Sequence, residues 1–101
     1  MFVYSPFQAG TSIALTATTT ATAIPNVTTK YVSYTKALFT VEGGPVRVGF
    51  GGLTPTSTSG HKFGIGDSLT FEGWADIQRF KYIRQGATNG TIWFTPFKYQ
   101  T

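Results

Sequence analysis

From residue 36 onward the side chains alternate, with Ala37, Phe39 and Val41 on one face and Lys36, Leu38 and Thr40 on the other. A period of two sends successive side chains to opposite faces of a strand, so a half-buried strand is predicted over residues 31–41. Val46, Val48 and Phe50 alternate with Arg47 and Gly49, which predicts a strand whose Arg47 faces outward. Leu69 and Phe71 alternate in the same way with Ser68, Thr70 and Glu72. Upstream, Ile13 and Leu15 are separated by Ala14, and Ala21 and Ala23 by Thr22, which predicts strands over 12–18 and 20–24. The second of these belongs at an edge or an end, because Pro25 has no N–H for a ladder.

Between these runs the chemistry changes. Residues 51–66 are mostly Gly, Ser, Thr and Pro and read as one long surface connection. Residues 74–84 mix two periods: Ile77, Phe80 and Arg84 recur at spacings of three and four, while Phe80 and Tyr82 alternate about Lys81. The reading is a single turn at 74–76, then a strand through Ile83. Asn89-Gly90 follows, and both residues tolerate the positive φ of a tight turn, so 79–84 and 91–97 are predicted to pair as an antiparallel hairpin.

Seven or eight short strands with turn signals between them, and no helix long enough for a crossover, define an all-β chain. The predicted architecture is an antiparallel β-sandwich, jelly-roll-like, with an immunoglobulin-like Greek key as the alternative topology. At 101 residues, 41% apolar and 12% charged, the chain is long enough for one core, so residues 12–101 are read as one sandwich domain and residues 1–11 as an extended N-terminal arm. Eighteen threonines and 16% aromatic residues suit pleated, half-buried surfaces. No cysteine is present, so cohesion comes from burial, backbone pairing or neighbouring chains, and thiolate chemistry is excluded. The net charge of +4 is spread from Lys30 to Lys98 without a basic run, a mild field that does not mark a nucleic-acid footprint. No apolar run is long enough for a membrane helix, and the first residues lack the basic and apolar regions of a secretory signal.

Candidate chemistry is sparse. His61 is the single histidine, and a metal site would require Glu42, Asp67, Glu72 or Asp76 to converge on it. Ser68, His61 and Asp67 can be written as a triad, yet Ser68 lacks a nucleophile-elbow pattern. The run Gly64–Ser68 has neither the dinucleotide nor the P-loop spacing and reads as a turn capped by the Asp67 side chain. No catalytic residue, no metal and no cofactor is therefore expected, and the chain is read as a non-enzyme. Trp93, flanked by Ile92 and Phe94, is assigned to the core; Trp74 stands in a glycine-bounded turn where core and contact roles are equally open. Arg79, Lys81, Arg84 and Lys98 fall near one predicted hairpin, a modest cluster compatible with nucleic-acid binding through basic residues and aromatic stacking, and equally with a solvated strand face or a complement to an acidic protein surface.

The stretches "GPVRVGFGG", "TPTSTSGH", "GDSLTFEG", "IQRFKYIRQGATNGTI" and "WFTPF", within residues 41–97, resemble small proteins encoded among the head and structural genes of tailed bacteriophages. That resemblance implies a virion-associated β-sandwich, assembled in the bacterial cytoplasm, with capsid cement or decoration as its role and the major capsid protein as its partner. A homo-oligomer, dimer or trimer, adds avidity in such a role. No nucleic-acid or membrane partner is expected. Phe2, Tyr4 and Phe7 around Pro6, together with His61 and Trp74, are the expected partner-binding residues, with residues 1–10 reaching onto a neighbouring subunit. The competing expectations are a head-completion or tail component, and a carbohydrate-binding module in which Trp74 and tyrosines stack on sugar rings.

Overall fold

The computed structural model describes residues 7–25, 27 and 29–99. Among these run nine strands and one short helix: β1 (Phe7–Ala9), β2 (Ile13–Ala17), β3 (Thr22–Ala23), β4 (Lys36–Glu42), β5 (Val46–Gly49), β6 (His61–Phe63), β7 (Ser68–Glu72), α1 (Trp74–Arg79), β8 (Lys81–Arg84) and β9 (Gly90–Tyr99). All pairings are antiparallel, and four of them nest: β2 with β9, β3 with β8, β4 with β7 and β5 with β6. The chain is thus one long hairpin closed at β5–β6 and rolled up, so that successive rungs fall alternately into two sheets. Sheet I has the order β2-β9-β4-β7, with β1 also paired to β9, and sheet II the order β3-β8-β5-β6. The two packed antiparallel sheets are the sandwich that the spacing of the strands predicted, and the strand order is that of a jelly roll, the topology preferred over the Greek key.

The rolled topology overturns the predicted hairpin. Residues 79–84 and 91–97 do not pair, because β8 lies in sheet II and β9 in sheet I. The Asn-Gly pair ends a crossing between layers instead of a tight turn. Gly90 is not among the positive-φ glycines. It is required by close approach: a Cβ there would stand 2.5 Å from the Gly44 carbonyl oxygen and 2.8 Å from Val46 Cγ1. Asn89 fixes the crossing by accepting a hydrogen bond from Arg84 Nη1 at 2.9 Å.

Other boundaries shift for local reasons. The strand predicted over 31–41 begins at Lys36, because Tyr31 turns into the core and Tyr34 N–H bonds back to its carbonyl at 3.2 Å. The strand predicted over 20–24 shrinks to the two residues of β3, at the edge of sheet II. The turn predicted at 74–76 continues as α1 to Arg79; Gly73 at φ 124 opens it and Ile77 is its buried residue. The connection predicted over 51–66 is interrupted by β6, so His61 stands on a strand.

The core lies between the sheets. Sheet I contributes Leu15, Ala17, Phe39, Val41, Ile92 and Phe94; sheet II contributes Val46, Val48 and Tyr82; α1 and the residue after it add Ile77 and Phe80. Phe80 ties the layers together, its ring centroid 5.5 Å from those of Phe39, Phe50 and Phe71 and 6.5 Å from that of Phe94. Such offset and tilted pairs add to the area they bury. One irregularity marks sheet I: Ala9 faces Phe97 while Ile13 faces Phe94, so residues 10–12 oppose 95–96 with one residue to spare. Pro96, which has no N–H, sits at this bulge and accepts from Gly10 N–H at 2.7 Å.

Candidate functional site

The residues expected to bind a partner are spread over the molecule. Phe2 and Tyr4 lie outside the described residues. Phe7 opens β1 and is built into the chain's own sheet, facing Tyr99 across the ladder with ring centroids 4.8 Å apart. Lys36 Nζ stands 4.5 Å from the Phe7 centroid and 5.8 Å from that of Phe97, a cation between two rings. Trp74 starts α1 and is half exposed, next to β7 at the opposite edge of sheet I from β1. His61 is exposed at the start of edge strand β6 in sheet II, its ring 6.1 Å from that of Phe50. Strand order therefore separates Phe7, Trp74 and His61.

Two of the four acids serve local structure. Asp67 Oδ2 accepts from Gly64 N–H at 2.7 Å, the turn cap that the sequence predicted. Glu42 Oε1 accepts from Trp93 Nε1 at 2.8 Å. Among the described residues no three His, Asp or Glu side chains are grouped as a metal site would require. Tyr82 is the group with a displaced titration: burial raises its phenol above the usual value of 10.0.

Trp93 is where the sequence reading fails most usefully. It is not core: 43% of it is exposed, whereas Ile92 and Phe94 on either side are fully buried. The outer face of sheet I is formed on β9 by Thr91, Trp93, Thr95, Phe97 and Tyr99, and on β4 by Lys36, Leu38, Thr40 and Glu42. Trp93 stands between two small cross-strand neighbours, Ala14 on β2 and Thr40 on β4, which leave its ring uncovered. Its bond to Glu42, diagonal across the ladder, orients the indole on the sheet. A fixed, half-exposed indole with Leu38, Phe97 and Tyr99 on the same face is an apolar contact surface with a polar rim.

Sheet II carries a second feature. Arg47 faces outward as predicted, and its guanidinium holds the long connection down through Ser57 O at 3.1 Å and Gly60 O at 2.9 Å. Lys81 Nζ donates to Thr54 Oγ1 at 3.2 Å, and Thr56 and Ser59 bond to each other through backbone and hydroxyls. Loop 51–60 thereby becomes a structured wall. Between it and residues 19–21 runs an open groove of about 670 Å³.

No family model matches the chain, and no curated protein matches it. Among solved structures the fold is similar to that of Bacillus endospore appendages, which form a family of disulfide-linked pili. The TM-score is 0.54 at 18% identity, covering 99% of this chain and 96% of that one. The two chains share the sandwich fold.

Proposed function

We propose that this protein is a non-enzymatic structural component of a tailed-bacteriophage particle, a cement or decoration protein that binds the major capsid protein and stabilises the head. The observation that carries the reading is the outer face of sheet I, where Trp93 is bonded to Glu42 and left half in solvent, with Phe97 and Tyr99 further along the same face of β9. Tryptophan is enriched among the residues that anchor protein interfaces. The sequence resemblance over residues 41–97 supports the source, and repetition of one contact over many copies supplies the avidity that a cement requires. A chain without cysteine cannot form the disulfide links of the Bacillus endospore appendages.

A second reading, a subunit of a tail or other appendage, is favoured by the shared fold with the pilus-forming appendages. Copy number separates the two. Quantitative mass spectrometry and imaging of intact particles should find hundreds of copies on the head, and Trp93→Ser should lower head occupancy and the temperature at which heads rupture. A single ring of copies at the neck or tail would favour the second reading, and absence from the particle would overturn both.

A further inference from the structure

We propose that the outer side of sheet II, with the groove beside it, is a docking site for a carboxylate-bearing segment of a partner protein, separate from the Trp93 face. Four of the eight Lys and Arg lie on the strands of this sheet and none of the four acids does; Arg47, Lys62 and Lys81 share the outer register, and Arg84, opposite Val46, ends β8 beside the groove. The acids of the strands, Glu42 and Glu72, belong to sheet I. The two layers of the sandwich therefore differ in charge, a difference that the net value of +4 conceals.

The arrangement costs the free protein. Arg47 and Lys62 are directly opposed across the β5–β6 ladder on the solvent side, and like charges in that register repel. No carboxylate on this sheet relieves them, whereas an anionic partner would. The adjoining groove is compatible with the same ligand chemistry: Thr19, Thr20, Thr54, Thr56 and Ser57 line it together with the apolar Pro55 and Ile83, and Arg84, whose guanidinium is held by Asn89, borders it. Hydroxyls and guanidinium donate to carboxylate oxygens, and Arg presents them in pairs. Because Arg47 and the Thr56–Ser59 bonds already hold the wall, little loop ordering is left for binding to accomplish.

A polypeptide fits better than a nucleic acid. The exposed rings Trp93 and Tyr99 lie on sheet I and Trp74 on α1, so sheet II offers no aromatic platform for bases. A second copy of this chain fits less well, since two chains of net charge +4 repel and Glu42 is already engaged by Trp93.

The test uses the full chain and a dye-labelled oligoglutamate peptide, read by fluorescence anisotropy at several salt concentrations. Binding that weakens with salt is expected, and Lys62→Glu and Arg84→Gln should each weaken it about fivefold or more, the scale of one to two exposed ion pairs. Lys98→Glu makes the same charge change as Lys62→Glu on the other sheet and should leave binding within about twofold. Thermal melts of each variant establish that the fold is retained. The proposal is overturned if the wild type does not bind, if Lys98→Glu is as damaging as Lys62→Glu, or if a DNA duplex of equal charge binds as tightly. It is also overturned if Lys62→Glu abolishes self-association instead. The peptide assay contains no capsid, so its result is independent of the particle assay above.

Discussion

Replacing Trp93 and Phe94 in turn by threonine tests the register of β9, on which the outer face of sheet I depends. Threonine suits an outward strand position, so at position 93 the loss is confined to the part of the indole that rests on the sheet. With 43% of Trp93 exposed, the covered part is somewhat over half of a side chain that can bury roughly 150–250 Å², or about 100 Å². At about 25 cal/mol per Å² this is an upper estimate of about 2.5 kcal/mol, and the more compact unfolded chain lowers it to about 1–2. At position 94 the same threonine leaves a cavity. Phe94 is fully buried, with ring centroids 6.2 Å from Tyr31 and 6.5 Å from Phe80, both themselves buried and tied to other elements. Phe→Ala at such sites costs about 3–5 kcal/mol, and an unpaired buried hydroxyl adds about 1–3. Against a total stability of about 5–15 kcal/mol for a domain of this size, Phe94→Thr should leave the protein marginal or unfolded at 25 °C. Urea titrations followed by tryptophan fluorescence and circular dichroism compare the two. Equal losses, or a larger loss at Trp93, would refute the assignment of inner and outer faces.

Three further predictions follow from particular contacts. Gly90→Ala should destabilise by about 1–3 kcal/mol through overpacking against the Gly44 carbonyl, measured by urea midpoint, while an NMR spectrum retains the wild-type pattern elsewhere. Arg47→Ala should free loop 51–60 with little effect on the core; the amides of Thr56 and Ser59 should then exchange about tenfold faster or more, and unchanged exchange would contradict the clamp. Tyr82 binds its proton more tightly in the folded state than in the unfolded chain, because burial raises its pKa above 10.0. Stability is therefore undiminished by this group below about pH 10 and falls as pH rises from there through the folded value, and Tyr82→Phe should flatten that part of the pH–stability curve.

Local alternation made several features legible in the residues themselves. The inward sets Ala37, Phe39, Val41 and Val46, Val48 stand where their period placed them, Arg47 points out, and Asp67 caps its turn. Trp93 was legible too: alternation with Ile92 and Phe94 puts it on the opposite face, and large aromatic neighbours argue for core only if that period is ignored. The facing of Trp93 follows from the pattern, against its assignment to the core; its exposure depends on Ala14 and Thr40, which strand pairing places beside it.

What composition and period determined is the all-β class and the facing of most strands, because side-chain direction repeats every two residues regardless of what the strand pairs with; β1 and β6, in segments read as an arm and a loop, raise the expected seven or eight strands to nine. Which strand pairs with which was decided by the tertiary structure. Asn89-Gly90 has the chemistry of a tight turn, but β9 pairs with β2 and β4 in sheet I while β8 pairs with β3 and β5 in sheet II, and the local signal carries no information about those distant partners. The charge difference between the layers has the same origin. Lys and Arg are scattered along the chain, and rolling the long hairpin collects Arg47, Lys62, Lys81 and Arg84 onto one sheet while the carboxylates of the strands go to the other.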